Sequence, residues 1–135
     1  MPYIIGIVLA LAVSVYATAL RLDRDRAFYP TVLVVVASYY VLFAVMGGSG
    51  RVIVAESLVM GVFVLAASLG FRHSLWLVVA ALAAHGVQDV FHARLVANPG
   101  VPAWWPAWCL SYDVAAAAYL AWRLTQNSAR RAPVA

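Results

Sequence analysis

Charge is scarce in this chain, and lysine is missing from it altogether. Asp, Glu, Lys and Arg together make up 10 % of the 135 residues, as nine Arg, four Asp and one Glu. A soluble domain needs roughly a quarter of its residues charged to cover its surface, so a soluble globular enzyme is excluded. Cysteine is nearly absent as well. Cys109 stands alone, which excludes an internal disulfide scaffold and leaves the redox compartment unreadable. There is no Gly-rich phosphate loop, no Gly-x-Ser-x-Gly and no cysteine pair. Disorder is excluded by the opposite excess, since 66 % of the residues are apolar and the mean hydropathy is +0.92. The solvent for most of this chain is a bilayer.

A formal charge of +4 and a pI near 9.6 raise the question of nucleic acid. The arginines, however, sit singly or in small groups between apolar runs and make no surface stripe, so they read as topogenic charge and imply no nucleic-acid partner.

A helix crossing about 30 Å of hydrocarbon needs roughly 20 apolar residues. Five stretches meet that demand: 3–20, 28–46, 52–69, 75–95 and 104–122. The expected fold is therefore all-α, an integral membrane bundle of five transmembrane helices forming one domain over 1–125. A polar, frayed cytoplasmic tail is expected over 126–135. Between the spans, Arg21 to Arg26 is a charged loop suited to anionic lipid, Gly47 to Gly50 a tight turn, and Asn98-Pro99-Gly100-Val101-Pro102 a rigid one. Pro30 falls in the first turn of its span, where a missing N–H does no harm.

Placing the N-terminus outside puts Arg21, Arg24, Arg26, Arg72, Arg123, Arg130 and Arg131 inside and leaves only Arg51 and Arg94 outside. That asymmetry predicts an outer N-terminus and a cytoplasmic C-terminus; with the small size it suits a bacterial inner membrane. Ala17-Thr18-Ala19 has the small-x-small look of a cleavage site, but the first span lacks a basic leader and three arginines follow it. A retained anchor is the expectation.

Ionisable groups interrupt three spans: Glu56 in the third, His85, Asp89 and His92 in the fourth, Asp113 in the fifth. At about 1.5 Å per residue His85 lies roughly 15 Å from the outer end and Asp113 roughly 14 Å down, both near midplane. His85, Asp89 and His92 stand at i, i+4 and i+7, within about 60° of one another on the helix, with Gln88 beside them. Cys109, Tyr112, Asp113 and Ala116 share a face of the fifth helix. An Asp facing lipid costs about 2.5–3.5 kcal/mol. The expectation is that these groups turn inward to one polar cavity, open to the outer face and floored by His85 and Asp113.

That stripe suits three chemistries. As an acid–base site, His85 and Asp89 form the proton-transfer pair and Asp113 the buried carboxylate beside it, with Glu56, Gln88, His92, Tyr112 and Trp105 contacting a small-molecule ligand. As a divalent metal site, Asp89-x-x-His92 has the i, i+3 carboxylate–histidine spacing of bundle sites, with Glu56 and Asp113 as further ligands. His85 and His92 lie about 10 Å apart along the axis, too far to share one ion. As a proton or cation path, the ladder stops at midplane, because the inner halves offer only Ser14, Thr18, Ser38, Tyr39, Ser68 and the rim residue His73. A polar core that only fixes helix register, in an accessory subunit, is the alternative without chemistry. In outline the arrangement resembles membrane isomerases of the emopamil-binding group, which set His and acidic residues in a five-span bundle; only His85-x3-Asp89 can be set beside them, and the likeness is one of fold.

Gly6-x3-Ala10-x3-Ser14-x3-Thr18 is a small-residue seam along the first helix, suited to a neighbouring helix or a second copy in a homo-oligomer. Trp104, Trp105 and Trp108 read as interfacial anchors. Tyr39 and Tyr40, near midplane, need partners for their hydroxyls. Cys109 reads as a small apolar filler, with a soft-metal role beside Met46 or Met60 as the alternative.

Overall fold

The structure, a computed structural model, describes residues 1–47 and 50–131. Five helices follow one another, and no strand occurs among the described residues: α1 (Pro2–Ala19), α2 (Phe28–Met46), α3 (Gly50–Arg72), α4 (Leu75–Leu95) and α5 (Trp105–Arg131). An apolar chain with no water to satisfy its amides must bond them internally, and a helix does so within one segment. Gly48 and Ser49, from the turn expected between the second and third spans, lie outside the described residues, as do the last four of the tail.

Four helices, α1 to α4, are long and apolar enough to cross a membrane. The fifth is long enough but more polar, because Trp, Tyr, Ser and Asp113 dilute its alanines. The frayed tail expected after residue 125 is not what α5 does over its described part: the helix continues to Arg131.

Local chemistry sets the ends. Pro2 opens α1, where no N–H partner is needed. Ser74 caps α4, its hydroxyl accepting from the Trp76 amide at 3.3 Å. Between α1 and α2 the chain turns through two left-handed residues, Arg21 (φ 63°) and Arg26 (φ 68°), a conformation that costs an L-residue about 1–2 kcal/mol. Side-chain bonds offset this: Asp25 Oδ1 accepts from the Ala27 amide at 3.1 Å, and Arg26 donates to the Gly70 carbonyl at 3.3 Å.

Helix α5 packs between α1 and α4; α3 packs on α4, and α2 covers both α3 and α4. One end of the bundle gathers Met1, Gly47 and the 96–104 connection. The other gathers Asp23, Arg26, Gly70 and Arg123. The small-residue seam of α1 is used within the chain: Gly6, Ala10 and Ser14 are buried, and a Cβ on Gly6 would collide with Ser111 Oγ and the Trp108 carbonyl of α5. Apolar side chains cover the outside, among them Leu58, Val62 and Leu65 at i, i+4 and i+7 on α3. Exposed apolar surface on that scale is not tolerated by a monomer in water.

Candidate functional site

Spacing along α4 carries into space as helical geometry demands. His85, Asp89 and His92 share its inward face and are 1, 2 and 2 % exposed. Opposite them α5 turns Cys109 and Asp113 inward, both fully buried, and α3 contributes Glu56 at 1 %. Gly86 lets the two polar faces approach: a Cβ there would sit 3.3 Å from the Leu110 carbonyl and 3.5 Å from Asp113 Cβ.

The buried polar groups divide into two pairs. At mid-bundle, His85 Nδ1 and Asp113 Oδ2 share a hydrogen bond of 2.6 Å. Asp89 Oδ2 lies 3.9 Å from the same nitrogen, and the Cys109 thiol donates weakly to Asp113 Oδ2 at 3.7 Å. Towards the Met1 end, His92 Nε2 bonds Glu56 Oε1 at 2.8 Å. Asn98 closes that pair from the loop, its amide donating to Glu56 Oε1 at 2.9 Å and to the Tyr40 carbonyl at 3.0 Å.

Tyr40 joins the pairs. Its ring stacks on His92 with centroids 3.9 Å apart, and its hydroxyl donates to Asp89 Oδ1 at 2.5 Å. Phe63 meets the His85 ring edge-on at 4.8 Å. Three carboxylate oxygens in this interior, Glu56 Oε2, Asp89 Oδ2 and Asp113 Oδ1, have no hydrogen-bond partner among the described residues. Buried polar atoms in that condition are uncommon.

Of the expected site residues, His85, Asp89 and Asp113 come together, and Glu56 and His92 form the adjoining pair. Gln88 is half-buried, its carbonyl oxygen without a hydrogen-bond partner among the described residues. Tyr112 turns away, stacking on Trp108 and lining a groove between α1 and α2. Trp105 packs among Tyr39, Phe43 and Trp108, and its Nε1 has no hydrogen-bond partner among the described residues. The expected polar cavity floored by His85 and Asp113 is not open: both residues are buried, with the Tyr40 and Phe63 rings packed against His85. What opens at the Met1 end is a cavity of about 530 Å³ beside His92 and Asn98, otherwise lined by residues such as Val101, Pro102 and Pro106.

The expected metal set of Asp89, His92, Glu56 and Asp113 also divides. His92 and Glu56 bond each other in the outer pair. The donor atoms that converge belong to His85, Asp89, Cys109 and Asp113, all within 4.8 Å of one another.

Sequence reasoning missed Asn98 and Phe63 and did not connect Tyr40 to the acids, and it set Cys109 on the face of Asp113 only as a filler or soft-metal candidate. Tyr40 carried a signal in its need for a partner, and Cys109-x3-Asp113 repeats the spacing of His85-x3-Asp89 on the neighbouring helix. Asn98 carried none, because Asn-Pro-Gly is sufficient as a turn.

No protein-family model matches this chain, and no match was found among curated proteins or solved structures.

Proposed function

We propose that this chain is a five-span integral membrane protein, N-terminus outside and C-terminus in the cytoplasm, that takes a small, largely apolar molecule into the cavity beside His92 and exchanges a proton with it. Arginine placement supports the orientation, and with the small size it suits a bacterial inner membrane. The outward face of α5, with Val114, Ala118 and Trp122 at i, i+4 and i+8, is apolar and exposed, which supports a fifth span despite the inward Asp113.

The carrying observation is the position of His92. His92 borders the cavity, and its buried imidazole bonds Glu56 and stacks on the tyrosine that reaches Asp89. A His held by a carboxylate is the usual general acid–base pair, and a cavity of this size with few polar groups suits a small ligand. Glu56 orients His92, and Asn98 holds Glu56 in place from the loop.

Native mass spectrometry of the protein in lipid nanodiscs tests this. Wild type should carry a small organic molecule that His92→Ala and Asn98→Ala lose and the exposed Arg94→Ala keeps. Equal recovery from His92→Ala, or none from wild type, would overturn the reading. An accessory subunit would instead tolerate His92→Ala and purify with a partner protein.

A further inference from the structure

The α4–α5 seam carries a second arrangement that the acid–base reading does not use. Each helix presents an i, i+4 pair: His85 and Asp89 on α4, Cys109 and Asp113 on α5. Residues so spaced lie one above the other on a helix face. Two such pairs set face to face place four donor atoms at the corners of a small cage.

We propose that His85, Asp89, Cys109 and Asp113 form a binding site for one zinc-like divalent cation. Ligands of a tetrahedral zinc ion sit about 2.0–2.3 Å from the metal, hence roughly 3.3–3.8 Å from one another. The separations here bracket that range: 2.6 Å from His85 Nδ1 to Asp113 Oδ2, 3.7 Å from Cys109 Sγ to the same oxygen, and 3.9 Å from His85 Nδ1 to Asp89 Oδ2. Small side-chain movements complete the cage.

A second observation is independent of that spacing. Asp89 Oδ2 and Asp113 Oδ1 are buried with no hydrogen-bond partner among the described residues, although both carboxylates lie in an apolar interior where unpaired charge is expensive. Asp89 Oδ1 is held from behind by the Tyr40 hydroxyl, which leaves Oδ2 turned towards His85. Metal-ligating carboxylates are oriented by outer hydrogen bonds of this kind. A divalent cation bound to two carboxylates and a thiolate offsets most of their negative charge, and the protons it displaces leave to solvent.

The donor set selects the class of ion. Calcium and magnesium want six or more oxygens and gain nothing from a thiolate. One sulfur, one imidazole nitrogen and two carboxylates suit a borderline ion such as zinc, with cobalt(II) as its spectroscopic substitute.

The test is cobalt(II) titration of the full-length protein in detergent, after chelator treatment and with a phosphine in place of a thiol as reductant. The chain has one cysteine, so a thiolate-to-cobalt charge-transfer band in wild type can arise only from Cys109. One equivalent is expected, with the visible bands of tetrahedral cobalt, displaced by zinc and not by magnesium. Cys109→Ser should abolish the charge-transfer band, and Tyr40→Phe should weaken binding by about ten- to a hundredfold. His92→Ala and Glu56→Gln should still bind one equivalent.

Absence of the band in folded wild type overturns the proposal, as does loss of cobalt on His92→Ala with retention on Cys109→Ser. Because the decisive band is read on wild type, a variant that fails to fold does not blunt the test. The readout is also separate from ligand retention at His92, so either site can fail alone.

Discussion

The Tyr40 hydroxyl and the Asp89 carboxylate, 49 residues apart in the chain, meet at 2.5 Å in the middle of the bundle. This bond ties α2 to α4 and fixes which oxygen of Asp89 faces His85. Removing one partner leaves the other buried and unsatisfied, a loss of about 1–3 kcal/mol. Tyr40→Phe should therefore lower stability by that amount while keeping the ring stacked on His92. Unfolding in mixed detergent measures it. A variant as stable as wild type would show that the bond contributes nothing.

His85 and Asp113 should behave as a unit. Both are almost wholly buried, so deleting one abandons the other in an apolar interior, at a cost of about 3–5 kcal/mol. Replacing both by leucine removes the exposed need as well as the bond. In a double-mutant cycle, His85→Leu with Asp113→Leu should be less destabilised than the sum of the single changes, by about 1–3 kcal/mol. Additive losses would mean that the two side chains do not depend on each other.

Much of this architecture could be read from hydropathy. The expected spans 28–46 and 75–95 coincide with α2 and α4, because charged, glycine-rich or proline-bearing turns bound them sharply. α3 runs beyond its expected 52–69 at both ends, since Gly50, Arg51 and Arg72 are polar enough to look like loop yet carry on helical bonding. The inward face of α4 was legible too, for the spacing of His85, Asp89 and His92 allows only one face. What spacing along one helix cannot encode is the rotation of its neighbours. The pairing of His85 with Asp113 rather than Glu56, the entry of Tyr40 from α2 and the fold-back of Asn98 all depend on that rotation.

Two helical glycines give opposite expectations. Gly86 faces α5 so closely that a Cβ would sit 3.3 Å from Leu110, whereas a Cβ on Gly61 of α3 meets nothing within 4 Å. Gly86→Val should force α4 and α5 apart, costing about 1–3 kcal/mol from overpacking, and should lengthen the His85–Asp113 bond. Gly61→Ala should be neutral or stabilising by up to about 1 kcal/mol, the helix-propensity difference. Thermal denaturation of the two variants side by side checks the contrast. Equal effects would mean that the seam between α4 and α5 is looser than these distances imply.

The polar chain from Asn98 to Asp113 ends at mid-bundle, and what lies beyond it decides whether a proton can pass through. From Asp113 to Arg123 α5 spans ten residues, roughly 15 Å, and turns the buried Ala116, Ala117 and Leu120 inward. Leu82 and Val78 of α4 and Leu33 of α2 fill the same layer and are fully buried. The buried Ser14 and Tyr29 hydroxyls follow, the latter with no hydrogen-bond partner among the described residues, and then Tyr119 bonds Thr18 and Thr18 bonds Asp23, beside Arg123. Asp113 Oδ1 has no hydrogen-bond partner among the described residues, so no bonded chain carries a proton from it to those hydroxyls, and opening the layer would expose close-packed apolar side chains. Liposomes holding wild-type protein and a pH-sensitive dye should thus dissipate a proton gradient no faster than empty ones, and Leu82→Ala with Leu120→Ala should raise the leak by admitting water. A wild-type flux abolished by Asp113→Asn would instead make the chain a conduction pathway and His92 its entrance.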